Sequence, residues 1–363
     1  MRERTRLLIA AGGTGGHIFP ARAVAETLVQ GGWQIRLVTD ARGLRHAHGF
    51  PGDGVDQIEA ATPLVKNPVR AAANMVTVMK GFAGAGRIIS AFRPDVIAGF
   101  GGYPAFPALA HSRLSGIPYV IHEQNAVLGR VNRLFARKAF AVASGFDRLD
   151  RLPKRARHEV TGNPVRAAVL AGGMQAYQPP AADGPVRLLV IGGSLGARIL
   201  SEGVPRAIAA LPEALRARLE VTQQTRAEQI GQARALYAEA GVKAHCEAFF
   251  EDMGPLYRQA HLVISRSGAS SVSEIAALGR PALLVPLEIA MDDHQRANAE
   301  GLVAAGAAQI ITEADIAAGG LSAQLETLLG DGEALARMAR NGLQAGKPDA
   351  HLRLASLLQS ALG

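Results

Sequence analysis

L-L-I-A-A-G-G-T-G-G-H, residues Leu7–His17, returns in altered form as L-L-V-I-G-G-S-L-G-A-R, residues Leu188–Arg198. Each copy is an apolar run, a Gly-Gly-Thr/Ser-x-Gly turn and the start of a helix. A buried strand that feeds a glycine turn and then a helix is how a doubly wound α/β domain opens. Two such openings predict two Rossmann-like domains, each with a parallel sheet. Domains of this kind bind their ligands beyond the carboxyl ends of the strands. The boundary is expected near Gly162–Pro164, which gives halves of 1–164 and 165–346. A Gly/Ala/Pro-rich stretch, Gly172–Pro185, reads as a flexible segment ahead of the second opening strand.

The remaining sequence keeps the same alternation. Candidate strands in the first half are Arg6–Ala11, Ile35–Thr39, Val96–Ala98, Tyr119–His122 and Phe140–Ala143. In the second half they are Val186–Ile191, Leu219–Thr222, Leu262–Ile264, Ala282–Val285 and Gln309–Ile311. Helical patterns lie between them, among them Ala21–Gln30, Ala105–Leu114, Ala227–Ala240 and Ala334–Ala345. At 363 residues the chain exceeds one ordinary core, and with 48% apolar and 19% charged residues it is globular rather than disordered. A single cysteine, Cys246, excludes a disulfide scaffold and fits a reducing compartment. The basic residues before Leu7 precede an apolar run too short for a signal sequence, and no run approaches membrane-spanning length. Either a soluble protein or one bound to a membrane surface is therefore expected. Charge is uneven: residues 1–164 hold 22 Lys/Arg against 11 Asp/Glu, and the remainder 17 against 20. A basic first half is expected to meet an anionic surface or substrate.

Several segments carry residues suited to chemistry. The loop Gly12–His17 resembles a dinucleotide fingerprint, but no frame completes G-x-G-x-x-G, because Ile18 stands at the last position. Asp40 sits where a ribose-binding acid would sit, which keeps a dehydrogenase reading open; no phosphate-binding G-x-x-x-x-G-K-S/T occurs. Pro20 suits the first turn of the next helix, so the loop is expected to be long and to expose Thr14 and His17. His17 is a candidate base, or a helix-start residue bonded to backbone. Gly99–Pro104, G-F-G-G-Y-P, repeats the glycine theme after another strand. Ile121–Asn125, I-H-E-Q-N, ends a strand in four polar residues, which marks a site or an anchored loop. His122 and Glu123 are metal-capable, yet neither H-E-x-x-H nor D-x-D occurs, so no metal cofactor is expected. Arg166, in G-N-P-V-R, is a candidate diphosphate clamp or a surface ion pair. Ser265–Glu274, S-R-S-G-A-S-S-V-S-E, offers a strand, a turn and a helix N-terminus aimed at a phosphate. Ser271–Glu274 also fits a capping box, which would give Glu274 a structural task; otherwise it suits ribose hydroxyls. His294–Asn298 offers amides for a sugar, with Asp292 and Asp293 as helix caps.

Taken in order, G-G-T-G-G-H, G-G-Y-P, H-E-Q-N, G-N-P-V-R, G-G-S-x-G-A, S-G-A-x-x-V-S-E-x-x-x-x-G-x-P-x-x-x-V-P and H-Q-x-x-N-A resemble the bacterial lipid II-forming N-acetylglucosaminyltransferases. The resemblance runs from about Leu7 to the C-terminal helix. It implies the GT-B fold, two Rossmann-like doubly wound domains facing across a cleft. The first would be an acceptor and membrane-docking domain, with a C-terminal helix at about 347–363 packing back on it, and the second the donor domain. It implies UDP-GlcNAc as donor and lipid I as acceptor, with inverting transfer to the 4-hydroxyl of MurNAc giving lipid II for peptidoglycan. An anionic membrane surface and other cell-wall synthesis proteins follow as partners, with no nucleic acid. The implied place is the cytoplasmic face of the plasma membrane, peripherally bound. By the same resemblance Phe250 lies near the uracil, Glu274 holds the ribose, and Ser194 and the Ala269–Ser271 turn (Ala269, Ser270, Ser271) take the diphosphate with Arg166. Gln295 and Asn125 contact the donor sugar. Thr14, Gly15, Gly16, His17, Tyr103 and His122 line the acceptor side.

An inverting transfer needs a base for the acceptor hydroxyl and neutralisation of the departing diphosphate. His17 is the expected base, with Glu123 second, and domain closure is expected to join the two halves of the site. Two positions depart from the family pattern: Leu195 replaces a common glutamine and Ser201 a common asparagine. A stretch with Met75, Met79 and Phe82, near the basic Arg130, Arg133, Arg137 and Lys138, is expected to dock on membrane or to pack into the core. Other readings stay open from sequence: another GT-B enzyme such as a glycolipid glycosyltransferase or a UDP-GlcNAc epimerase, or a non-catalytic nucleotide-sugar-binding subunit.

Overall fold

The computed structural model describes residues 4–62, 67–173, 175–193, 197–288 and 293–363. It divides into two compact units, Met1–Arg166 with Asp349–Gly363, and Ala167–Pro348. The first unit holds β1 (Arg6–Ala10), β2 (Gln34–Thr39), β3 (Gly54–Gln57), β4 (Val96–Gly99), β5 (Tyr119–Glu123), β6 (Ala141–Ser144) and β7 (His158–Val160). They pair in the order β3-β2-β1-β4-β5-β6-β7, all parallel. The second holds β8 (Val186–Ile191), β9 (Leu219–Gln224), β10 (Lys243–Glu247), β11 (Leu262–Ser265), β12 (Ala282–Leu284) and β13 (Ala308–Ile310), ordered β10-β9-β8-β11-β12-β13. The chain reverses its winding beside β1 in one sheet and beside β8 in the other. A crevice therefore opens at the carboxyl ends of β1 and β4, and again at β8 and β11.

The opening strand is apolar on both faces because helices cover both. Leu7 and Ile9 join a core with Ala21, Val24 and Leu28 of the Gly15–Gln30 helix, while Leu8 and Ala10 face Ile89, Phe92 and Leu109. The C-terminal Ala350–Ser360 helix completes the first of these layers: Leu354, Leu357 and Leu358 recur at helical spacing and lie in the same core. Each fully buried leucine is worth roughly 1.5–3 kcal/mol, so the last helix is a substantial part of that unit.

Three expectations change. The first helix begins at Gly15, not Ala21, and Pro20 lies inside it. Gly13 turns the chain early with φ +88°, and the N–H that Pro20 lacks would have met only the Gly16 carbonyl in the first turn. Residues 175–185 are pinned rather than flexible: Tyr177 packs on the second core and donates to the His261 carbonyl at 3.0 Å, and Arg280 donates to the Gln175 carbonyl at 2.9 Å. The pattern over Ala227–Ala240 splits into a 3-10 turn, Ala227–Gln229, and the Ile230–Glu239 helix.

Candidate functional site

In the first unit the loops after β1, β4 and β5 meet at one end of the sheet. Asp40 does not point outward for a ribose. Its Oδ1 accepts from the Gly13 N–H at 3.0 Å and the Gly43 N–H at 2.9 Å, and Arg42 donates to Oδ2 at 3.2 Å. Burial pushes its pKa up, but these donors outweigh burial and hold it below the usual carboxylate range. Asp40 thus fixes the glycine loop. Gly102, with φ +76°, lets the β4 loop press on this one: a Cβ there would stand 2.6 Å from the Gly12 carbonyl oxygen. Thr14 is the exposed N-cap residue of the Gly15–Gln30 helix and makes no side-chain cap, while Gly15, Gly16 and His17 form its first turn. Tyr103 is half-buried in the adjoining β4 loop.

His17 is half-buried, and its Nδ1 lies 2.8 Å from Gln124 Oε1. The Gln124 Nε2 lies 3.0 Å from His122 Nδ1 and 3.2 Å from the His122 carbonyl. His122 Nε2 in turn lies 3.1 Å from the Gly162 carbonyl. His122 is only 1% exposed, and burial pushes its pKa down to about 4. Both ring nitrogens of His122, which was expected on the acceptor side, are therefore engaged by neighbouring groups of the chain. Glu123 is also enclosed. Its Oε1 accepts from Asn125 N and Nδ2, and its Oε2 from the Gly129 N–H and Asn132 Nδ2, both at 2.9 Å. Four donors make it an anchor for the loop after β5. The Asn125 side chain folds onto that anchor. Arg166 lies with its guanidinium 5.1 Å from the Phe19 ring, beside the first helix.

In the second unit the site elements follow β10, β11 and β12. The Ala269–Ala277 helix is capped by Gly268, which places Ala269, Ser270 and Ser271 in its first turn, where N–H groups have no intrahelical acceptor. The expected capping box is therefore absent: Ser271 is inside the helix. Glu274 is buried one turn on, and its Oε2 accepts from the Tyr257 hydroxyl at 3.1 Å. Buried Arg266 bonds the Val285 and Pro286 carbonyls, each at 3.2 Å, and pairs with Glu313. Asn298 Nδ2 donates to the Ser267 carbonyl at 3.1 Å, and Gln295 Oε1 accepts from the Leu287 N–H at 3.0 Å. These bonds tie the turns after β11 and β12 together. Asp293 is the N-cap residue of the His294–Ala304 helix with φ 52° and makes no side-chain cap. Phe250 lies 5.6 Å from the His245 ring beyond β10. Ser194, Leu195 and Asp292 lie outside the described residues. Ser201 is buried and accepts from the Arg226 N–H at 3.2 Å, so that departure from the pattern serves internal packing.

The glycosyltransferase family 28 N-terminal domain matches residues 7–144, and the family 28 C-terminal domain residues 187–354. The chain belongs to glycosyltransferase family 28. A UDP-N-acetylglucosamine–N-acetylmuramyl-(pentapeptide) pyrophosphoryl-undecaprenol N-acetylglucosamine transferase of Maricaulis maris is 58% identical over 95% of this chain and 94% of that protein. The crystal structure of Acinetobacter baumannii MurG is 34% identical, with TM-score 0.80 over 98% of this chain and 99% of that one. A UDP-GlcNAc 2-epimerase from Neisseria meningitidis, 13% identical with TM-score 0.67 over 98% and 100% of the two chains, shares the fold alone. Both sheets thus belong to the GT-B fold of family 28.

Within this family 28 chain, the residues read from sequence form two groups. Thr14, Gly15, Gly16, His17 and Tyr103 gather at one end of the first sheet, above the internal His122–Asn125 strand end. Phe250, Ala269, Ser270, Ser271, Glu274 and Gln295 gather at the corresponding end of the second. Sequence reasoning missed Asn132 and Tyr257, and named Gln124, Arg266 and Asn298 only within their stretches, without the internal bonds they make. Arg266 had a signal, a charged side chain directly after a buried strand. Among the described residues no group of three or more His, Cys, Asp or Glu is arranged to hold a metal ion.

Proposed function

We propose that the protein transfers GlcNAc from UDP-GlcNAc to the 4-hydroxyl of MurNAc in lipid I, with inversion, to form lipid II. The observation that carries this reading is its full-length likeness to enzymes named for that transfer. The acceptor oxygen attacks the anomeric carbon as its bond to UDP breaks, and UDP departs with the electron pair. His17 takes the acceptor's hydroxyl proton. Glu123, expected as the second choice of base, keeps its carboxylate for the β5 loop. Charge growing on the diphosphate meets the N–H groups of Ala269, Ser270 and Ser271, together with Ser194 and Arg166. The helix dipole adds up to about 2 kcal/mol, so several donors share this task. Glu274, held by Tyr257, reads the ribose, and Phe250 lies by the uracil. Gln295, whose carbonyl end is taken, offers its amide N–H groups to the sugar, and Asn125 serves the same sugar. Thr14, Gly15, Gly16 and Tyr103 line the acceptor.

The enzyme works at an anionic membrane surface, on the cytoplasmic face, beside other proteins of cell-wall synthesis. Among the described residues no helix is long and apolar enough to cross a membrane. Incubation with labelled UDP-GlcNAc and a lipid I analogue tests the reading. Label in the lipid product, lost by at least about 100-fold in His17→Ala, is expected for a general base. UDP release without label in lipid would overturn the proposed acceptor, and near-normal turnover in His17→Ala would overturn the base.

A further inference from the structure

We infer that Gln124 and His122 form a positioning pair that holds neutral His17 as its Nδ1–H tautomer, leaving Nε2 as the basic atom. The inference rests on the reading of His17 as the base and adds which nitrogen acts and what decides it. The chain of bonds begins at a backbone carbonyl. The Gly162 oxygen can only accept, and it lies 3.1 Å from His122 Nε2, so that nitrogen carries a hydrogen. His122 is fully enclosed and stays neutral above about pH 4, because burial disfavours its charged form. Its Nδ1 is therefore a bare lone pair and accepts. Only the amide nitrogen of Gln124 can satisfy it, at 3.0 Å.

A second contact fixes the same amide orientation independently. The Gln124 Nε2 is also 3.2 Å from the His122 carbonyl, and a flipped amide would set oxygen against oxygen there. Asn163 Nδ2 donates to the Gln124 backbone carbonyl at 2.9 Å and holds the residue from the other side. With Nε2 committed inward, Oε1 faces outward and lies 2.8 Å from His17 Nδ1. An amide oxygen only accepts, so His17 Nδ1 carries the hydrogen in the neutral ring. The free lone pair is on Nε2. When Nε2 takes the acceptor's proton, the new imidazolium keeps its Nδ1–H bond to Gln124, and no other proton has to move. A neutral buried pair thus orients the base as a carboxylate does in other enzymes, without adding charge.

The test is long-range ¹H–¹⁵N NMR of the histidine-labelled full-length enzyme at a pH where His17 is neutral. His17 protonated at Nδ1, and His122 protonated at Nε2, are expected in the wild type. An Nε2–H tautomer at His17 overturns the inference, and this readout needs no variant to fold. Gln124→Met keeps volume and removes the side-chain bonds to His17 and His122. It is expected to release His17 to the mixed tautomers of free imidazole and to lower kcat about 10-fold or more, with KM for UDP-GlcNAc within about twofold. Gln124→Glu still accepts from His17 Nδ1–H but sets an oxygen where the His122 ring and carbonyl had a donor, so it is expected to keep the His17 tautomer while displacing His122 from its Nε2–H form. Unchanged tautomers and unchanged kcat in Gln124→Met would also sink the idea. If His17→Ala keeps its turnover, the base assignment fails, while the wild-type spectrum still decides the tautomer.

Discussion

His122 makes a pH-dependent contribution to stability whose sign follows from its burial. Its folded pKa, about 4, lies below the 6.5 of an ordinary histidine, because burial penalises the charged ring. As pH falls through 6.5, the unfolded chain takes up the proton first, so the folded state loses ground. The loss grows to about 3 kcal/mol near pH 4 and vanishes well above 6.5. Urea unfolding of the wild type and of His122→Gln between pH 7.5 and 4.5 checks this: the variant should show the shallower decline, and equal slopes would refute the account. Gly101 carries a second residue-scale prediction. It adopts φ +89°, and a Cβ there would stand 3.1 Å from His17 Cε1 and 3.3 Å from Nδ1. Gly101→Ala is expected to cost about 1–3 kcal/mol of stability through backbone strain. It should also lower kcat about 10-fold or more by pushing the imidazole off its bond to Gln124. Thermal unfolding and steady-state kinetics on one sample measure both. At this scale the sequence pointed to the loops more plainly than to what their side chains touch. Asp40 and His122 looked like outward-facing ligands, yet both face inward, because a polar group at a strand end serves the loop above it as readily as a substrate.

The Pro68–Phe92 helix turns Met75 and Met79 away from the core. Met75, Val76 and Met79 are 49%, 54% and 66% exposed, whereas Phe82 is half-buried and stacked on His111 at 3.8 Å. So the outward face is apolar, and only Phe82 of the expected trio turns inward. Arg130, Arg137 and Lys138 are also exposed on the same unit. Apolar side chains entering the interface and basic groups worth about 1 kcal/mol each near an anionic surface favour peripheral docking. Met75, Val76 and Met79 all changed to Ser should lower affinity for anionic vesicles about 10-fold or more while leaving unfolding unchanged. Retained binding would refute docking through this face. The same scale explains what was legible. Central strands such as β1, β4 and β11 are apolar on both faces and stood out. The strands not read, β3, β7 and β10, all lie at sheet edges, where one side is open and the burial signal is weak. The first helix was read six residues short because Gly-Gly and Pro20 look like a loop when the turn at Gly13 is not yet known.

At the scale of the whole molecule, the first unit is built from both ends of the chain and the second from its middle. That arrangement separates two contributions to stability. Leu354 and Leu358 of the last helix lie in the core of the first unit, at 1% and 0% exposure. Leu358→Ala is expected to cost about 2–5 kcal/mol there, from lost transfer energy and a residual cavity. It should leave the second unit untouched, because none of that unit's core residues share the cluster. UDP-GlcNAc should act in the opposite way. Its ribose, base and diphosphate groups are assigned to residues of the second unit, apart from Arg166, so it should stabilise that unit by about 2.7 kcal/mol at 100 times its Kd. Scanning calorimetry of the full chain then resolves two transitions, one lowered by Leu358→Ala and the other raised by UDP-GlcNAc. The two effects should add in the variant with ligand bound, since they act on separate cores. A single transition that both changes shift would mean that the units unfold as one, and that ligand binding draws on the whole chain.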